Sequence, residues 1–309
     1  MTERIAVERT GAELWGTYRA WMEQTRKSPD TIHSYRVVLF DFWRHAGKMD
    51  APATVTKRDL GRFLSKTAAA GKRNHGQPLA EGTQHVYAVR VIRAYRWFAE
   101  QGLLGRRKNP LLGYDVPKKV ELPPRCLDVD DVGRVIEEAQ LSDPRMAMML
   151  WMAYGLGMRV GEIAKARVEH IRPGRAGQPM SLEIYGKGGK RRVNPITGPA
   201  AAWMEAYLET CPRRGPLIPN GRYPGQPLTS RYVARTMSNF LRAQGIHDTA
   251  HALRHTFATF LMQEGGSLRG VQRLLGHASS ATTERYTQAY DGEAWTVASR
   301  LPDPTGHRR

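Results

Sequence analysis

Four side chains near the carboxyl end could carry chemistry together. They are His251 and Arg254 in His251-Ala252-Leu253-Arg254, His277 in Leu275-Gly276-His277, and Tyr286 nine residues later. A phenol ionises near 10, so phenolate at neutral pH costs roughly 4 kcal/mol, which nearby cations and a base must offset. Imidazoles titrate close to neutrality and can take that proton. A guanidinium stays charged and offers a planar fork of donors that fits the non-bridging oxygens of a phosphate. The set suits attack on phosphorus rather than on carbon.

Two upstream pieces complete it. Gly157-Met158-Arg159-Val160-Gly161-Glu162 supplies a second guanidinium with a carboxylate one turn on. Arg159 by itself reads as the ion-pair partner of Glu162, yet Glu162 could equally hold it for a phosphate. Gly186-Lys187-Gly188-Gly189-Lys190 sits in an apparent hairpin, where a desolvated ammonium could protonate a leaving oxygen. Lys190, Arg191 and Arg192 crowd the same hairpin, so Lys190 stands as the alternative to Lys187, just as Tyr290 stands behind Tyr286. His251 and His255 are four residues apart, as metal ligands on one helix face can be. The intervening sequence is Ala-Leu-Arg, without the glutamate of a zinc protease, and no carboxylate cluster for magnesium accompanies it. His255 therefore reads as structural, and the chemistry calls for no cofactor.

The ordered set Arg159, Lys187, His251-x-x-Arg254, His277, Tyr286 resembles the tyrosine recombinase (phage integrase) family, with close likeness to its Xer-type members. The likeness is strongest from Cys126 to Gln288 and includes Leu275 to Thr287, similar to the family's LGH...Y box. It implies Tyr286 as nucleophile, Arg159 and Arg254 as the phosphate clamp, and Lys187 as the acid for the leaving 5′ oxygen. His251 would assist the phenol and His277 would bind a phosphate oxygen. It further implies a 3′-phosphotyrosyl intermediate, double-stranded DNA with paired half-sites, and a homotetramer at synapsis from a monomer or weak oligomer, with room for an accessory protein. In relatives a terminal helix docks into the next subunit, and Ala294 to Leu301 is the matching stretch here.

Composition agrees with a polyanionic partner. The 309 residues hold 47 Lys and Arg against 29 Asp and Glu, a formal charge of +18. Residues 1–120 carry 22 basic and 11 acidic groups, so the excess is +11 there and +7 in the remainder. The first part is thus the main electrostatic grip. Two cysteines, Cys126 and Cys211, give neither a disulfide framework nor a zinc pattern. No stretch approaches the roughly 20 apolar residues that cross a bilayer. The opening residues lack a signal-peptide core, so a soluble cytoplasmic protein is expected.

The elements that must position these groups read as mainly α, with a small antiparallel β-sheet. Trp15, Tyr18 and Trp21, then Ile32, Tyr35, Val38, Leu39 and Phe42, form helical stripes. A short helix from Thr54 or Thr56 carries Leu60, Phe63 and Leu64. In a long helix from Thr83 to Glu100, Val86, Val89, Tyr95 and Phe98 turn inward, while Arg90, Arg93 and Trp97 share a side. These give a helical core-site DNA-binding domain over 1–116. A basic, proline-rich linker follows at 117–126, and a catalytic domain at 127–309. Candidate DNA contacts are Arg73, Arg90, Arg93, Lys118, Lys119, Lys190 and Arg191. In the second domain, helices are expected at Val160–Ala166, Pro199–Thr210, Ser230–Gln244, Arg254–Gln263 and Gly265–Leu275, with strands near Ser181–Tyr185 and Arg192–Pro195. A strand-relaxing enzyme of type IB character and a silent DNA-binding protein are the alternatives. Retention of the whole chemical set weighs against the second.

Overall fold

The computed structural model describes residues 9–65, 79–105, 108–118, 125–174, 179–186, 189–223, 225–276 and 296–305. The chain divides into two compact units, Met1–Leu122 and Pro123–Arg309. Among the described residues no helix is long and apolar enough to cross a membrane.

The first unit is helical: α1 (Gly11–Gln24), α2 (Pro29–Ala46), α3 (Lys57–Ser65) and α4 (Glu81–Glu100), with a 3-10 turn at Pro52–Thr54. Thr10 and Glu13 form a reciprocal capping box at α1, and Ser28 caps α2 ahead of Pro29. The core is aromatic, and its polar atoms are paired. The Trp43 indole donates to the Tyr95 hydroxyl at 2.8 Å, which in turn donates to the Pro52 carbonyl at 2.8 Å. Ala88, Val91, Ala94, Tyr95, Trp97 and Phe98 form the buried face of α4. Two sequence expectations change here. Val86 is out of phase with that stripe and is 40% exposed, and Trp97 lies inside, its ring 5.0 Å from Tyr18 and 5.2 Å from Trp21. The ledge that α1 offers covers a position which helical phase alone leaves at the margin.

The second unit builds on α5 (Val129–Ser142) and α6 (Pro144–Tyr154), capped by Asp128 and Asp143. Every residue of α6 from Met146 to Tyr154 is buried, and its methionines fill core volume. Then come α7 (Val160–Ile163), a sheet of β1 (Ile171–Arg172), β2 (Ser181–Tyr185) and β3 (Arg191–Pro195), and helices α8 (Gly198–Glu209), α9 (Ser230–Ala243), α10 (Ala250–Gln263) and α11 (Leu268–Leu275). The sheet is antiparallel in the order β1-β2-β3, with Leu182 opposite Asn194 and Ile184 opposite Arg192. The two-residue strand β1 was not expected from sequence.

Three helix limits also move. α7 stops at Ile163 because the chain extends to bridge Arg167 with Pro216. Helix α10 starts four residues before Arg254, since the Thr249 hydroxyl caps it by accepting from the His251 amide at 3.3 Å. Ser267 caps α11, so the preceding glycines lie outside it.

The tail at 296–305 packs on its own unit. Val297 and Ala298 are buried with Phe257, Leu261, Val271, Leu274 and Leu275. Thr197 donates to the Ala298 carbonyl, Arg300 to the carbonyls of Glu264 and Gly265, and Tyr154 to the Pro302 carbonyl. Trp295, expected among the tail's anchors, lies outside the described residues. Pro304 crosses α5 at Gly133, where a Cβ would come within 1.7 Å of its carbonyl oxygen. Gly133→Ala should therefore lift the end of the tail off α5 at a cost of about 1–3 kcal/mol, the range for overpacking. A lower urea midpoint and faster proteolysis of the tail would register it, and an unchanged midpoint would contradict the packing.

Candidate active site

Arg159 stands immediately before the first turn of α7, where Gly157 in the left-handed region (φ 61°) turns the chain away from α6. A Cβ at Gly157 would come within 2.6 Å of the Phe257 ring, so close packing on α10 also demands glycine. The Glu162 carboxylate folds back and accepts from the Arg159 amide at 2.9 Å and its guanidinium at 3.1 Å. Glu162 is only 5% exposed. Burial alone would raise its pKa, but the hydrogen bonds and charge of Arg192, then Arg159, hold it below the usual carboxylate range.

Arg192, on β3, grips Glu162 with two parallel bonds, Nη1 to Oε1 at 2.9 Å and Nη2 to Oε2 at 2.8 Å. Arg254 projects from the second turn of α10 and is 3% exposed. Its Nη1 donates to the Gly157 carbonyl and lies 3.9 Å from Glu162, while Nη2 donates to the Leu275 carbonyl at 2.7 Å. Burial, then the neighbouring Arg159, lowers the Arg254 pKa to about 9.

The C-terminus of α11 is the common socket. Its final carbonyls have no partner within the helix and carry the negative end of its dipole. The Leu275 carbonyl accepts from both Arg159 and Arg254. The Leu274 carbonyl accepts from Arg192 Nε and Asn194 Nδ2, each at 2.9 Å. Four side chains from three other parts of the unit thus converge on two carbonyls.

The structure therefore brings Arg159 and Arg254 together and adds Arg192. Among the described residues these three guanidiniums surround one carboxylate, an excess of positive charge that suits an anion. His251 is exposed in the first turn of α10, its ring 4.5 Å from that of His255. Burial, then Arg254, lowers the His255 pKa. Lys190 and Arg191 lie exposed at the hairpin, Arg191 paired with Glu183 at 2.7 Å. In the first unit Arg93 and Lys118 are exposed, and Arg90 lies over the Tyr35 ring at 6.0 Å. Arg73, Lys119, Lys187, His277 and Tyr286 lie outside the described residues.

Sequence reasoning left out two features. From sequence Arg192 reads only as one of the cations crowding the hairpin, because nothing local to β3 announces a partner in α7. On α9, Arg231, Arg235 and Arg242 are exposed at four- and seven-residue spacing, hence on one helical face, in a helix without an acidic residue. A Cβ on Gly161 would lie 3.2 Å from the Ser230 hydroxyl, so that face begins beside α7. The spacing of those arginines was a readable signal.

A helical unit with a three-stranded sheet holds here a cationic pocket suited to an anion such as a phosphodiester. Residues 125–293 match the model of the Phage integrase family. Tyrosine recombinase XerC of Rhodospirillum centenum is 33% identical over 315 aligned residues, covering 96% of this chain and 87% of that one. XerC of Salmonella typhi is 34% identical, covering 84% and 85%. A crystal structure of a lambda integrase tetramer bound to a Holliday junction superposes with a TM-score of 0.68 at 20% identity, over 92% of this chain and 82% of that one, a likeness of fold. The chain belongs to the phage integrase family of tyrosine recombinases. It is a site-specific recombinase, breaking and rejoining DNA through a phosphotyrosyl intermediate.

Two measurements bear on the pocket. The lowered Arg254 pKa signals a penalty on its charged form that is present below about pH 9, and a bound anion would offset it. Inorganic phosphate should therefore raise the melting temperature, with about 2.7 kcal/mol gained at a hundred times its Kd. Arg254→Gln should abolish the gain, and an equal gain in that variant would exclude the pocket as the anion site. For His255, the unfolded chain binds its proton more readily, so stability is full above about pH 6.5 and falls as the solution is acidified toward the lowered folded pKa. His255→Asn should flatten that part of the pH profile of the urea midpoint.

Proposed function

We propose that Tyr286 is the nucleophile of this recombinase and that Arg159 and Arg254 clamp the scissile phosphate. The observation that supports this reading most directly is the convergence of both guanidiniums on the Leu275 carbonyl, with positive charge left over around Glu162. The Tyr286 oxygen attacks phosphorus and the bond to the 5′ oxygen breaks. His251 takes the phenolic proton, Lys187 gives one to the departing oxygen, and Lys190 is its substitute should Lys187 be excluded. His277 hydrogen-bonds a non-bridging oxygen. A 5′ hydroxyl from a second duplex reverses the step, so the energy of the broken bond is kept without ATP.

The substrate is double-stranded DNA with paired half-sites, held by 1–116 as the DNA-binding domain and acted on by 127–309. Arg73, Arg90, Arg93, Lys118, Lys119, Lys190 and Arg191 line its path, and the arginine face of α9 extends it. Contacts of this kind release counterions, so affinity should fall steeply with salt. Four protomers assemble at synapsis, and the cytoplasm, where cellular DNA lies, is the place of action.

The decisive test uses a nicked duplex carrying an inverted repeat that the protein itself selects from a random-sequence pool. The nick lets the released fragment diffuse away, so covalent protein–DNA accumulates. Wild type should form that complex and Tyr286→Phe should form none. Persistence of the complex in Tyr286→Phe would overturn the assignment.

A further inference from the structure

We propose that Arg192 is a positioning residue that neutralises Glu162 and so leaves the positive charge of Arg159 and Arg254 available to DNA phosphate. The inference rests on the reading that those two arginines form the clamp. Arg192 is not itself placed to be a third clamp arm. Its Nη1 and Nη2 hold both oxygens of Glu162 and its Nε the Leu274 carbonyl, so its charge is neutralised in place, whereas Arg254 donates to uncharged carbonyls and keeps its charge.

The need for such a residue follows from Glu162. Its carboxylate is buried, stays ionised, and lies within reach of all three guanidiniums. A buried carboxylate takes the donors nearest to it, because leaving it unpaired is costly. With Arg192 in place, both oxygens are satisfied by a planar fork, the strongest geometry available to the pair. Arg159 then shares only one side-chain bond with Glu162 and remains about two-fifths exposed, while Arg254 stays 3.9 Å away. Without Arg192, Glu162 would draw Arg159 into a bidentate pair and close the gap to Arg254. Both movements spend on the carboxylate the donors that a phosphate needs.

Glycine at position 276 is part of the same device. It caps α11 in the left-handed region (φ 62°), and a Cβ there would come within 2.9 Å of Arg192 Nη1 and 3.1 Å of its Cδ. The Arg192 side chain passes against the backbone of Gly276 to reach Glu162. Leu275-Gly276-His277 therefore needs glycine for the turn and for this passage, a requirement on the same three residues that carry the family likeness.

The test measures single-turnover formation of covalent complex on the nicked duplex described above, with DNA affinity and melting temperature measured alongside. Arg192→Gln should cut the rate about 100-fold, the scale of loss when a reacting group is misplaced by about 1 Å. Arg192→Lys keeps the charge but lacks the fork, and should also be slow. Glu162→Gln combined with Arg192→Gln removes the charge that needs neutralising, so the double variant should be at least about tenfold faster than Arg192→Gln, a coupling that independent sites would not show. A contribution through packing alone would leave the double variant as slow as the single or slower, and that result overturns the proposal. So does an Arg192→Gln variant as fast as wild type. Should Arg192→Gln fail to fold, the same comparison is made between Arg192→Lys and Glu162→Gln with Arg192→Lys. Arg159→Ala is the control: if it cleaves at the wild-type rate, the clamp reading fails, and not merely the role of Arg192.

Discussion

A carboxylate buried among guanidiniums is the interaction on which the second unit depends. Glu162 ties the start of α7 to β3 through Arg192, and Arg192 continues to the end of α11. Removing one partner of a buried ion pair strands the other, so the three elements are tied together energetically. An apolar core could hold them as firmly. It could not leave surplus positive charge in the pocket.

The second constraint is the carboxyl end of α11. Helix termini expose carbonyls that need donors, and here the donors are Arg159, Arg192, Asn194 and Arg254. The arrangement links the pocket to the tail. Val271, Leu274 and Leu275 on α11 pack against Val297 and Ala298, and the same helix ends on Arg159 and Arg254. Phe257 belongs to both groups, lying in the tail cluster while closing on Gly157. Burial of the tail and seating of the arginines are therefore stabilised by one set of contacts.

Much of this was legible before the structure, for definite reasons. Helical stripes such as Val38, Leu39 and Phe42 follow the period of the backbone, and Ser28-Pro29 marks a helix start by local chemistry. Arg159 and Arg254 could be named because their neighbours in sequence carry a recognisable pattern. What escaped depends on partners distant in sequence. Trp97 is covered by α1, some 76 residues away. β1 is two residues long and exists through its pairing with β2. Arg192 stands beside Lys190 and Arg191, three similar cations that only the fold separates into exposed and partly buried.

That separation also shows why charge counting reaches its limit at the site. The first unit carries the larger share of the net charge, which bears on long-range attraction to a polyanion. In the pocket, the same charge type serves opposite ends. Arg191 is exposed and paired with Glu183, Arg192 is partly buried and paired with Glu162, and Arg254 is buried against carbonyls with its pKa lowered. A guanidinium that pays for burial with backbone carbonyls keeps its orientation without losing its charge to a carboxylate. Fixed orientation with retained charge is the condition under which an electrostatic clamp can favour a transition state.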